Sequence, residues 1–411
     1  MKTSIIATLM IGMTAVAVYV YPSINSAKHQ PPVTALPQPL VNPTSVLTPV
    51  SAQITQQKNI EVVFVLDTTG SMSGLLQGAK DNIWSIASSM ASAQSSPIIK
   101  MGLVAYRDRG DDYVTKVVDL SSDLDTNYGT LMSFNAGGGG DHPESVNKGL
   151  YDAVNNMSWS TDEDTYRVIF LVGDAPPQTR YQDEMQFPEI VKMAQNKGII
   201  INTIQCGNNG DTLTPWKQIA QLGQGDFFQV EQSGGAVAVS SPYDDQIASL
   251  SIELDETRLF FGDREEKAAK RRKRAATDFF NANASASSIA RKAEFNSSEA
   301  GVYNFSDSSE LVEAVSSGRV DLGAIAKEQL PEELQSLAKK DQKVLLKERA
   351  QKRKVLQEKI AMLGQQRSDY VAAELKKTGA DKDSIDNKIY QSVKKQAGKK
   401  GLVYSSDAPK Y

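Results

Sequence analysis

Cysteine occurs once, at Cys206, and histidine twice, at His29 and His142. A single cysteine excludes an internal disulfide, and so few soft ligands exclude a zinc site of the Cys/His kind. Within the Val- and Ile-rich run Ile199–Cys206 the thiol reads as a strand-end core residue, not a reactive group. Positive charge is not in excess either. With a net charge of −4 the chain has no general affinity for nucleic acid. Residues 28–56 contain no aromatic side chain and several prolines, so they cannot form a packed core and read as an extended spacer.

What is present starts at the N-terminus. Lys2 precedes an uncharged, apolar stretch from Ile5 to Tyr21, the pattern of an export signal. As a helix this stretch measures about 25 Å, at the lower edge of what spans a bilayer. Residues 1–27 are therefore expected to act as a signal peptide or as a retained anchor in the inner membrane. The remainder would then be exported, periplasmic or at the cell surface, lifted off the membrane by the spacer.

From Asn59 onward, apolar runs alternate with amphipathic stretches, which is the βα rhythm of a sheet covered by helices. Strands are expected at 61–66, 99–106, 113–120, 167–172, 199–205 and 227–230, with the second and third paired antiparallel across a short polar connection. Helices fall between them, near 75–93, 123–134, 143–157, 187–196 and 214–222, and a last one from Tyr243 to about Arg258. The fold class is α/β: a doubly wound, mostly parallel six-stranded sheet over 57–262, followed by a largely helical C-terminal region.

Beyond 262 the rhythm stops. Residues 263–306 read as a charged, then Asn/Ser/Ala-rich connector, in which six of the eight residues Lys267–Arg274 are basic. Without interleaved aromatics this cluster suits a solvated helix face or anionic lipid headgroups better than nucleic acid. Residues 307–411 form the helical region, with Pro331 opening a long charged helix. Leu356, Ile360, Leu363, Arg367, Tyr370 and Glu374 follow steps of three and four, a seam for packing on another helix. The polar tail after Gly379 reads as a frayed end.

In an open parallel sheet, ligands gather beyond the carboxyl ends of the strands. Three polar loops open there: Asp67-Thr-Thr-Gly-Ser71, Gly137-Gly-Gly-Gly-Asp-His-Pro-Glu144 and Gly173-Asp-Ala-Pro176. Converging carboxylates repel one another unless a cation reverses the sign, and a small hard cation takes oxygen ligands. The expected metal ligands are Asp67, Thr69, Ser71, Glu144 and Asp174, with the two hydroxyls leaving the ion electrophilic.

The first loop resembles the DxSxS element of von Willebrand factor A domains, with Thr69 in the place of the first serine, and Asp174 matches the family's aspartate after the next central strand. Asp141-His-Pro-Glu144 resembles the Asp-x-Pro-Glu sequence in the von Willebrand-type domains of the integrin beta family, whose glutamate reaches the metal. The chain as a whole resembles a bacterial group of exported proteins with this domain and a charged helical tail. The likeness implies one Mg²⁺ or Mn²⁺ ion at a metal-ion-dependent adhesion site. Asp141 would brace the loop or take a weak second ion. No aspartate pair follows Ser71, so the adjacent metal site of the integrins has lost its ligands.

The function this implies is metal-dependent binding of a protein partner that supplies an acidic residue, without enzymatic activity. The alternatives are a metal-assisted hydrolase and a helical scaffold acting through the C-terminal region. Arg107 and Arg109 end a rim strand and are placed to steer an anionic partner or to form surface ion pairs. His142 tunes the loop or is simply solvated. Trp84, Trp159 and Trp216 are expected to be packing residues.

Overall fold

The computed structural model describes residues 57–140, 142–233, 239–378 and 384–410. The signal or anchor at 1–27, the spacer at 28–56 and Asp141 lie outside them. Thr55–Tyr411 forms one compact unit.

The six apolar runs become six strands. They are β1 (Asn59–Asp67), β2 (Ile98–Tyr106), β3 (Thr115–Ser121), β4 (Tyr166–Gly173), β5 (Ile199–Cys206) and β6 (Gln224–Val230). Their order is β3-β2-β1-β4-β5-β6. All neighbours are parallel except β2 and β3, the antiparallel pair expected from their short connection. The chain winds outward from β1 in one direction and from β4 in the other. The carboxyl ends of β1 and β4 therefore flank the switch point, where a doubly wound sheet opens a crevice.

Alternate residues of β1 feed two cores. Ile60, Val62, Phe64 and Leu66 face one side with Trp84 of α1 (Ser73–Ala91) and Tyr128 of α2 (Leu124–Ser133). Val63 and Val65 face the other. That second face is covered by α3 (Val146–Asn155), α4 (Phe187–Asn196) and α5 (Gly210–Leu222), where Trp216 is fully buried. Trp159 packs at the margin of this core and donates its indole N–H to the Ala153 carbonyl. Cys206 is fully buried, and burial pushes its thiol pKa far up, so it stays a thiol.

After α6 (Asp244–Asp255) come α7 (Arg264–Asn283) and α8 (Ala286–Asn296), so the stretch read as a connector is two helices. Asp263 and Glu266 cap α7 reciprocally, a capping box that the sequence displays as D-x-x-E. Short helices α9 (Val302–Phe305), α10 (Leu311–Ser316) and α11 (Glu332–Gln335) lead to α12 (Lys339–Thr378), 40 residues long. Its buried line starts with Gln342, Leu346 and Arg353, ahead of the seam, and then takes in Leu356, Ile360, Leu363 and Arg367, as the seam predicts. It then continues through Val371 and Leu375, while Tyr370 is 38% exposed. Two further steps of four keep the line on the side of the protein that a step of three would have left.

The tail is not frayed. α13 (Ile385–Ala397) begins at the N-cap Ser384 and lays Ile385, Ile389, Tyr390 and Val393 into the same core as β1, and Leu402 and Tyr404 follow. Gln396 accepts from the Tyr166 hydroxyl at 2.8 Å and exchanges hydrogen bonds with the buried Asn202 amide at 3.1 and 2.7 Å. The last residues of the chain thus complete a face of the sheet that its first strand began.

Candidate functional site

The sequence places its candidate residues at the ends of β1 and β4, and the structure gathers them there. Asp67 is the last residue of β1, and its Oδ1 accepts from the Thr69 backbone N–H at 2.8 Å and the Thr69 hydroxyl at 2.7 Å. Ser71 Oγ lies 3.3 Å from Thr69 Oγ1. Gly139 (φ +81°) runs between Thr69 and Glu144: a Cβ there would stand 3.2 Å from Thr69 Cβ and 3.5 Å from Glu144 Oε1. Asp174 follows β4 and accepts from Gln232 Nε2 at 2.7 Å.

The three loops are sewn together through their backbones. Gly137 N–H donates to Thr68 O and Gly70 N–H to Gly138 O, joining the first loop to the second. Glu144 N–H donates to Pro176 O and Gln178 N–H to Glu144 O, joining the second to the third. Asp111 accepts from Gly139 N–H, and a Cβ on Gly138 (φ +76°) would come within 2.2 Å of its carboxylate. Glycine is required here by both conformation and space.

Arg107 is buried and spent inside the rim. It donates to Thr68 O at 3.1 Å and to Asn135 O at 2.6 Å, and its guanidinium stacks on Tyr113. Arg109 is exposed but clamps Asp183 and Glu184 while covering the Tyr181 ring. Neither arginine is placed to meet an anionic partner. Asp108, which the sequence offers only as part of the strand end Tyr106–Arg109, is the hub of the same framework, accepting from Ser145 at 2.6 Å and Tyr181 at 2.9 Å. Its only signal is position, directly after a rim strand. Gln232 gives no signal, because it reaches Asp174 from a loop 58 residues away. His142 is exposed and hydrogen-bonded to Asn209.

The expected metal site does not follow from this convergence. Among the described residues, no group of three or more His, Cys, Asp or Glu side chains is arranged to hold a metal ion. Asp67 Oδ2 is buried without a hydrogen-bond partner among the described residues, and so is the Tyr106 hydroxyl beside it. The Thr69 and Ser71 hydroxyls lie close by, 3.3 Å from each other. Asp174 is turned to Gln232 instead. Burial pushes the Asp67 carboxyl up to about 7, the Thr69 hydrogen bonds offset this only partly, and Asp174 adds to the rise.

The assignments of a Mg²⁺ or Mn²⁺ cofactor, of a partner carboxylate completing its shell, and of a metal-assisted hydrolase are accordingly withdrawn. The second ion near Asp141 falls outside the described residues. So does the expected anchor at 5–21, and no helix among the described residues is long and apolar enough to cross a membrane.

A sequence model of the von Willebrand factor A domain matches residues 61–240. No curated relative matches the chain. Among solved structures, proximal thread matrix protein 1 from the mussel byssus aligns at 14% identity and a TM-score of 0.31, over 43% of this chain and 42% of that one. The chain thus spans less than half of that protein. The same mussel protein with a zinc-occupied MIDAS motif aligns at 16% identity and a TM-score of 0.32, over 43% and 42%. The SpRpn10 VWA domain aligns at 12% identity and a TM-score of 0.32, over 43% of this chain and 88% of that one.

Proposed function

Taking as premise that residues 61–240 form a von Willebrand factor A domain, we propose that the protein is a non-enzymatic binding protein whose rim recognises a protein partner without a metal. The observation that carries this is the sewn rim. Backbone hydrogen bonds link Thr68 to Gly137, Gly70 to Gly138 and Glu144 to Pro176, while Arg107 and Asp108 lock the loops from beneath. Loops fixed before binding lose little entropy on binding, which favours recognition by shape and exposed polar groups. Ser71 and His142 stand exposed on this surface.

The likeness of residues 141–144 to the von Willebrand-type domains of the integrin beta family supports a recognition role for this loop, and the likeness to exported bacterial proteins of similar layout supports a place outside the cytoplasm. In this reading Glu144 keeps the place of the integrin glutamate without its ion. Export rests on Lys2 and the apolar run 5–21. N-terminal peptide mapping of the protein recovered from cell fractions tests it, and an intact chain confined to the cytosol would contradict it.

A photo-crosslinking residue at Ser71 or His142, compared with one at Asn196 on the opposite end of the sheet, tests the rim. Adducts to one partner from the two rim positions, unchanged in chelator, are the expected result. Equal labelling from Asn196, or labelling abolished by chelator, would refute it.

A further inference from the structure

A cleft of about 530 Å³ lies outside the rim, where α7 passes the end of α6 and the start of α11. Its volume is in the range of small-molecule sites. One wall is the ridge of α7 that carries Lys267, Lys270, Arg271 and Arg274, residues that the helical repeat sets on a single face. Arg258 and Arg349 add to the lining, which holds six basic side chains against the three acidic ones of Glu256, Glu332 and Glu333.

The basic residues are not equally committed. Arg258 is tied to Asp125 and Asp255, Lys270 to Asp307, and Arg349 to Glu333. Among the described residues Lys267 donates only to the neutral carbonyls of Glu328 and Leu330, which leaves its charge in the cleft. Arg271 and Arg274 have no ion-pair partner among the described residues. They stand one helical turn apart on the same wall, where like charges at this spacing repel. By contrast Lys273, in the same basic run, is buried and paired with Asp123 at 3.0 Å. The run is therefore not a uniformly solvated face, since Lys273 is structural while Arg271 and Arg274 stand exposed along an open cleft.

The geometry points to this cleft as a binding site for a phosphate ester of a polyhydroxylated molecule. The phosphate would lie against Lys267, Arg271 and Arg274, and the hydroxyls toward Glu332 and Glu333. Two guanidinium forks flanking one pocket match the oxygens of a phosphate, which accept paired N–H donors. Carboxylates on the facing wall are acceptors that a hydroxyl satisfies and a second phosphate does not. Such a ligand relieves the repulsion on α7 and therefore raises the stability of the whole unit.

The ester could be free or the headgroup of a lipid, and the test separates the two. Titrate the full chain with ribose 5-phosphate, with inorganic phosphate, and with vesicles of phosphatidylglycerol or of phosphatidylcholine, following heat and thermal midpoint. Saturable binding of ribose 5-phosphate, tighter than that of inorganic phosphate and weakened about tenfold or more in Arg271→Gln/Arg274→Gln, supports the site and a soluble ligand. Saturable binding to phosphatidylglycerol vesicles alone, lost in the same variant, supports the site and assigns the headgroup. Should the double variant not fold, Arg274→Gln alone gives the same reading with a smaller loss. No saturable binding by either ester, binding unchanged in the variants, or inorganic phosphate binding as tightly as the ester overturns the proposal.

Discussion

The chain buries acid in two regions and treats it in opposite ways. At the rim, Asp67 is surrounded by hydroxyls, backbone and another carboxylate, and burial lifts it to about 7. Where α7, α8 and α12 join the A domain, burial also opposes ionisation of Asp125, but Lys292, Arg258 and Lys273 outweigh it and hold the carboxyl at about 2. In that joint Arg353 grips Glu310 with two donors at 2.9 Å, and Arg367 reaches Asp244 at 2.8 Å, all four side chains being nearly or fully buried. The contrast teaches where the chain invests charge. At the joint cations meet the buried acids directly, whereas at the rim Arg107 and Arg109 hold loops and Arg107 lowers Asp67 too little to offset its burial.

The strongest way to break this comparison is to remove the joint. A chain ending at 262 loses α13 and the burial of Ile385, Ile389, Tyr390, Val393, Leu402 and Tyr404 against the sheet. At about 1.5–3 kcal/mol for each large apolar side chain, this exceeds the usual stability margin of a domain. The truncated protein is expected to show no cooperative unfolding by circular dichroism; a fragment with a sharp transition would make the helices dispensable.

A smaller break is Arg353→Met, which leaves Glu310 charged and buried without its main partner. The expected loss is about 3–5 kcal/mol in urea titration. A loss below about 1 kcal/mol would put the joint in the class of surface ion pairs.

pH sharpens the contrast further. Burial lifts Asp386 to about 7 against the opposing effect of Arg291, and both of its carboxyl oxygens lack hydrogen-bond partners among the described residues. A raised carboxyl contributes stability below pH 4 that is lost as pH rises through 7, whereas Asp125 contributes stability above pH 4 that is lost as pH falls toward 2. Asp386→Asn should therefore be more stable than the wild type at pH 8, on the order of 2–4 kcal/mol, with the advantage shrinking toward pH 4. Denaturant midpoints across this range measure it, and parallel curves for the two proteins would refute the assignment.

Much of the A domain was legible because its four central strands are buried on both faces and so read as apolar runs, as in Val168–Val172. The joint was not legible for the same physical reason in reverse. Lys273, Lys292 and Arg353 are buried because distant acids pair with them, and a charged residue in a sequence looks like a surface residue; Arg367 was legible only because it falls on the helical seam. α13 was hidden because its lysines mask a spacing of Ile385, Ile389, Val393 and Ala397 that a helix turns to one side. At the rim, the motifs single out Asp67, Thr69, Ser71, Glu144 and Asp174, and their loops do converge, but what meets their charge is not written there. Gln232 meets Asp174 from a distant loop, and the burial that raises Asp67 depends on the whole fold, so neither leaves a mark in a motif.

The central claim is that sheet and helical region are one folded body held by the joint. Scanning calorimetry of the full chain tests it most directly. The account predicts one unfolding transition whose calorimetric and van't Hoff enthalpies agree, and which Arg353→Met shifts as a whole. Two separable transitions, with only one of them moved by Arg353→Met, would contradict it.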